Sequence, residues 1–308
     1  MSTFLYTHES FLQHDTGSGH PECADRLRSI SIALNQPEFA NLIRMPAPSG
    51  SEKQIVLIHP QSQIDRVFQS IPKSGSGYLD GDTVVSANSG AAALHAVGAV
   101  CDAIDHVITK QATNAFCAVR PPGHHAETNR AMGFCLFNNV AIAAQYARLQ
   151  CHVDRVAIVD FDVHHGNGTQ EIFYSEANVL YASTHQYPLY PGTGGLNETG
   201  VGNIFNAPLS AGADTRLFQA AMGERILPAL IRFKPELLLI SAGFDAHKDD
   251  PLASLNLVED DYAWVTRELM DIADKFCEGR IVSMLEGGYN LSALASSSAA
   301  HVRELMTA

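Results

Sequence analysis

Basic residues are scarce: Lys and Arg number 20 among 308 residues, against 33 Asp and Glu, for a formal charge of −13. Binding nucleic acid through phosphates needs a basic face, so that partner class is not expected. Charged residues make up only 17% and hydrophobic ones 46%, which excludes disorder over most of the length. Cysteine is limited to Cys23, Cys101, Cys117, Cys135, Cys151 and Cys277, with no C-x-x-C pair. That scatter excludes a disulfide framework and a thiolate zinc site; it predicts reduced thiols, mostly buried, in a cytoplasmic protein. The start, Met-Ser-Thr-Phe-Leu-Tyr-Thr-His-Glu, lacks the basic and apolar segments of a secretory signal. No apolar run is expected to reach the roughly 18–20 residues of a bilayer span, the strongest being 236–244, so no membrane partner is expected. Repeats, low-complexity tracts and linkers are also missing, so one domain over 1–308 is expected. Histidine, by contrast, is plentiful at 14, and it is the side chain most used for metal ligation and proton transfer.

Short apolar runs read as buried strands at Ala115–Val119, Val156–Val159, Val179–Ser183, Leu237–Ser241 and Ile281–Leu285. Helical patterns lie among them at Ala91–Ile104, Phe137–Leu149, Thr215–Phe233 and Glu259–Cys277, while Pro72–Gly90 reads as loop. Alternating strands and helices predict an α/β domain whose central, mainly parallel sheet carries helices on both faces. Four of the strands run into segments rich in reactive side chains: Arg120-Pro-Pro-Gly-His-His125, Asp160-Phe-Asp-Val-His164, Ala242-Gly-Phe-Asp245 and Glu286-Gly-Gly-Tyr289. Parallel sheets bind ligands at the carboxyl ends of their strands, so these groups are expected to meet at one edge.

Asp162 and His164 are two apart and face one side of an extended segment, and Asp245 can add a third ligand. Two carboxylates and one imidazole suit a divalent ion such as Zn²⁺, and three protein ligands leave a position open for catalysis. The same donors also suit Fe²⁺. A neutral imidazole from His124-His125 could take a proton from water, and Tyr289, after Gly287 and Gly288, could donate to an oxyanion.

Six motifs carry a resemblance: Arg120–His125, Gly133-Phe-Cys-Leu-Phe-Asn-Asn139, Asp160–Thr169, Tyr190-Pro-Gly-Thr-Gly194, Ser241–Asp245 and Glu286–Tyr289. Together they resemble the zinc-dependent histone deacetylase superfamily, in the manner of class II-like bacterial histone-deacetylase-like amidohydrolases, from His20 to Tyr289. The resemblance implies a single open arginase/deacetylase-type domain and one Zn²⁺ on Asp162, His164 and Asp245. It implies that His125 is the general base and then acid, with His124 its electrostatic partner. Asp160 would orient His124, Asn167 would orient His125, and Tyr289 would stabilise the oxyanion. A structural K⁺ is implied at Asp160, Asp162, His164 and Ser183, with Phe173 and Val179 at a more distant site.

Gly133, Phe134 and Tyr190 match the substrate tunnel, with Gly288 beside Tyr289, and Arg26 matches an internal-channel arginine. Cys135 is expected to pack beside the tunnel. An arginase-like second metal would need carboxylates where this chain has Gly166 and His247, so one catalytic metal is expected. The implied activity is hydrolysis of the acetamide of N-ε-acetyl-lysine in a protein or peptide. Leu252 at the position of an acidic gatekeeper favours that over a small acetylated polyamine, the alternative substrate. Asp82 could accept from a peptide backbone or attract a distal ammonium.

Overall fold

Val, Ile, Leu and Ala dominate the strand segments, and strands so composed are stable only when both faces are covered. The computed structural model describes residues 2–307. Within them the strands are β1 (Thr3–Thr7), β2 (Ile43–Pro46), β3 (Ser76–Tyr78), β4 (Val84–Ser86), β5 (Asn114–Cys117), β6 (Val156–Asp160), β7 (Val179–Gln186), β8 (Ile204–Leu209), β9 (Leu237–Ala242) and β10 (Ile281–Leu285). Eight of them form one sheet in the order β2-β1-β5-β10-β9-β6-β7-β8. Every pairing in it is parallel. The central strands β6, β9 and β10 are buried along their whole length. Each Val, Leu or Ile so buried contributes about 1.5–3 kcal/mol before entropic costs. Helices including Ser89–Ile108, Asn139–Gln150, Glu259–Phe276 and Leu291–Leu305 cover the sheet. The fold is thus a single α/β domain, as expected.

Because the strands run one way, the loops after β5, β6, β7, β9 and β10 leave from the same edge. The sheet thereby converts four separate motifs into neighbours.

The structure departs from the sequence reading in four places. Pro72–Gly90 is not all loop: β3 and β4 pair there as an antiparallel hairpin, each strand too short to show a period. Thr215–Phe233 is interrupted by a π-helical segment, Met222–Ile226, just before Pro228, which has no N–H to continue the ladder. The strands β1, β2 and β8 have no counterpart among the expected ones, and β2 is largely exposed at the sheet edge. Finally, the helix Ser89–Ile108 is long and apolar enough to cross a bilayer, contrary to the expectation that no segment is. Its apolarity comes from Ala together with Val, Leu and Ile, in runs broken by His95, Asp102, Asp105 and His106, and most of its side chains are buried inside the domain.

The six cysteines are unpaired, and Cys101, Cys117, Cys135 and Cys277 are buried. Cys135 donates to the Gly133 carbonyl (3.3 Å), and burial holds its thiol protonated, in keeping with the packing role expected of it.

Candidate active site

Beyond β6 the chain alternates: Phe161 and Val163 enter the core, and Asp162 and His164 sit on the site side. Asp245, three residues past β9, accepts from the Val163 N–H (2.9 Å), which pins the two loops together. His164 Nδ1 lies 3.1 Å from both Asp162 Oδ1 and Asp245 Oδ2. The three ligand atoms fall within 4.8 Å of one another, all buried. Burial and then the Asp162 charge push Asp245 up, whereas His124 and His164 overcome burial and hold Asp162 well below the carboxylate range. Two carboxylates crowded out of water around one imidazole form a donor set that suits a divalent cation. Gly287 closes over this cluster, its N–H donating to Asp162 Oδ2 (2.7 Å). A side chain there is excluded: a Cβ would lie 2.1 Å from Asp245 Oδ2.

The histidine pair follows β5. His124 Nδ1 meets Asp160 Oδ2 (2.9 Å), and His125 Nδ1 meets Asn167 Oδ1 (2.8 Å). An amide oxygen only accepts, so His125 Nδ1 carries the proton and Nε2 keeps its lone pair. The two rings are driven apart electrostatically. For His124, burial opposes the cation but Asp160 and Asp162 win, holding the pKa well above the usual value. For His125, burial and then His124 and His164 hold it well below. Neighbouring groups with opposite shifts are the pattern of divided acid and base roles.

The walls come from other loops. Gly133, at φ +57, lies against His125, where a Cβ would be 2.6 Å from the ring. Phe134 sits 5.9 Å from the Tyr289 ring, and Tyr190 sits 5.1 Å from that of His125. Thr83 Oγ1 accepts from the Phe134 N–H (3.1 Å) and contacts Asp82 Oδ1 (3.4 Å), bringing the exposed Asp82 and its neighbour Asp80 to this rim. Leu252 is partly exposed and hydrogen-bonded through its N–H to Asp250 (3.0 Å). Gly288, at φ +121, precedes Tyr289, whose hydroxyl burial raises well above the usual tyrosine value.

Other expected residues lie below the site. Ser183 pairs with Asp160 across β6 and β7, and its hydroxyl bonds His185 (2.9 Å). The carbonyls of Phe173 and Val179 both accept from Asn203 Nδ2 (2.8 Å each). Arg26 donates to the carbonyls of Glu286 and Gly288 and pairs with the buried Glu22, which also binds Arg120. His247 turns towards Glu259 (3.6 Å) and is no part of the three-ligand cluster.

Sequence reasoning gave no role to three groups. Glu286 accepts from the N–H groups of Gly123 (2.7 Å) and His124 (3.1 Å) and from Ser241 (3.1 Å), holding the histidine turn against β9. Burial pushes its pKa up to about 7. Tyr181 donates to Asp160 Oδ2 (3.1 Å), and Asp250 accepts from Tyr289 N–H (2.7 Å). Each pairs residues far apart in the chain, so no local pattern could have shown it.

Residues 20–305 match the family model described as histone deacetylase domain. An uncharacterized Synechocystis protein, slr0245, is 43% identical over 302 residues, covering 96% of this chain and 97% of its own. The histone deacetylase-like amidohydrolase of Pseudomonas aeruginosa is 36% identical over 286 residues, covering 91% and 75%. Among solved structures, the HDA15 HD domain superposes with a TM-score of 0.94 at 36% identity, covering 99% of this chain and 90% of that one.

Proposed function

Since the chain belongs to the histone deacetylase family, a family of deacetylases and amidohydrolases, we propose that it hydrolyses the acetamide of N-ε-acetyl-lysine in proteins or peptides. The observation that carries this reading is the meeting of Asp162, His164 and Asp245 with His125, a buried imidazole whose ring centre lies 5.9 Å from that of His164 and whose Nδ1 is held by Asn167. Asp162, His164 and Asp245 would hold one Zn²⁺, which supplies Lewis acidity when bound. His125 takes a proton from the attacking water, with Asn167 fixing its tautomer, and returns a proton to the departing amine. His124, held cationic by Asp160, stabilises negative charge beside it. The Tyr289 hydroxyl, protonated and donating, meets the carbonyl oxygen as charge develops there. Phe134 and Tyr190 flank the acyl-lysine stem, and the Gly133 carbonyl accepts from the substrate amide. The products are acetate and a free amine.

The unpaired cysteines support a reducing compartment, the cytoplasm. The backbone carbonyls of Asp160, Asp162, His164 and Ser183 are our choice for a structural K⁺. The carboxylates Asp80 and Asp82 at the rim favour a second reading, a small acetylated polyamine whose distal ammonium they would attract. Hydrolysis of an acetyl-lysine peptide and of acetylputrescine, each with and without chelator, separates these readings. The peptide should be the better substrate and chelator should abolish turnover; equal activity with chelator would refute the metal's role. Tyr289→Phe should lower kcat by about 10²–10³ with metal retained.

A further inference from the structure

Tyr289 ends the run Glu286-Gly287-Gly288, and the protein grips that run from two sides. Arg26, fully buried, holds the carbonyls of Glu286 (2.5 Å) and Gly288 (2.6 Å), with its guanidinium carbon 5.0 Å from the Tyr289 ring centre. Gly287 is fixed through its N–H to Asp162 (2.7 Å) and its carbonyl to the Phe244 N–H (3.0 Å). Beyond it Gly288 turns at φ +121, and the next two N–H groups, those of Tyr289 (2.7 Å) and Asn290 (3.2 Å), both donate to Asp250 Oδ2. The other oxygen of the same carboxylate accepts from the Leu252 N–H (3.0 Å). Asn290 Nδ2 adds a bond to the Asp249 carbonyl (3.0 Å). Asp250 is only 7% exposed, so water cannot easily replace these bonds.

We propose that Asp250 is a positioning residue for Tyr289: its carboxylate sets the backbone from which the oxyanion-donating hydroxyl is aimed, and from the same point it fixes the backbone of Leu252. This rests on the reading of Tyr289 as the group that meets the carbonyl oxygen. The phenol is a long lever, so a small shift of its backbone becomes a larger displacement of the hydroxyl. Charge matters as well as shape. An ionised carboxylate only accepts and can serve three N–H donors, whereas an amide offers one oxygen and turns two N–H donors of its own towards the same groups.

The experiment is a kinetic cycle on the metal-loaded protein with an acetyl-lysine peptide, using Asp250→Asn, Tyr289→Phe and the double variant. Melting temperature and metal content serve as controls for folding. Asp250→Asn should lower kcat by about 10- to 100-fold, the loss that a displacement near 1 Å causes, with KM moving far less. In the Tyr289→Phe background, where the hydroxyl is gone, Asp250→Asn should cost no more than about twofold. If Asp250→Asn proves too unstable to purify, Asp250→Glu keeps the charge but displaces the oxygens by a methylene, and the same non-additive loss is expected. Equal losses from the Asp250 change in both backgrounds, or an unchanged kcat with metal bound, overturn the proposal while leaving the role of Tyr289 intact. An unchanged kcat in Tyr289→Phe itself overturns that role and the proposal with it.

Discussion

Asn167→Asp would rewrite the proton chemistry of the site with one atom. His124 and His125 stand side by side, their ring centres 4.0 Å apart, yet one faces a carboxylate and the other an amide oxygen at nearly equal distances, 2.9 and 2.8 Å. The directions of their pKa shifts are opposite. Giving His125 a carboxylate partner replaces a neutral hydrogen bond, about 0.5–1.5 kcal/mol, by a charge-assisted one, about 1.5–3 kcal/mol. At 1.36 kcal/mol per pKa unit the gain raises the His125 pKa by about 1, with Coulomb attraction at an effective dielectric of about 20 setting a ceiling near 3. The base must be neutral to take a proton, so activity is lost as pH falls through its pKa. The acid limb of kcat/KM should therefore move to higher pH by about 1 or more. Asn167 Nδ2 also donates to Glu127 (2.8 Å), so the new carboxylate would face a like charge, and Glu127→Gln should be added to relieve it. The assay is the pH profile of the double variant on an acetyl-lysine peptide beside that of Glu127→Gln alone. Coincident acid limbs would show that Asn167 does not set the proton affinity of His125, and the assignment of the base would fall with it.

Other consequences concern the scaffold and the metal. His301 is buried, its ring nitrogens bonded to Thr266 (2.7 Å) and Ser283 (2.8 Å), and burial lowers its pKa to about 3. It stays neutral when folded but is protonated below about 6.5 when unfolded, so its share of the stability is complete above that pH and declines as pH falls towards 3. At pH 5 the loss amounts to about 2 kcal/mol. His301→Gln should be less stable than the parent at pH 8 by denaturant unfolding, and the gap should narrow by that amount at pH 5; a gap independent of pH would contradict a neutral His301. Gly287→Ala would bring a methyl to 2.1 Å from Asp245 Oδ2. It should lose bound metal in elemental analysis while keeping its far-ultraviolet circular dichroism, and full metal content would count against the close packing of that loop on the ligands.

The helix Ser89–Ile108 and the hairpin β3–β4 show where local reading ran short. His95, Asp102, Asp105 and His106 break the helix's apolar residues into short runs, and strands of three residues carry no period to detect. Strands such as β6 and β10 were plain because burial on both faces writes an unbroken apolar run. The spacing of Asp162 and His164, the tandem histidines and the glycines before Tyr289 were equally visible, since each is a local pattern with a local cause.

By itself, then, the sequence determined a parallel α/β architecture, the residue types delivered at its strand ends and their resemblance to one family of hydrolases. Only the tertiary structure decided how those ends are held. Glu286 reaches the histidine turn across 163 positions, Arg26 reaches the Tyr289 loop across 262, and Asp250 reaches Tyr289 across 39. A buried carboxylate or guanidinium is tolerated only where its hydrogen bonds are met. Such partners are set by three-dimensional closure of the sheet edge, which no neighbouring residue records.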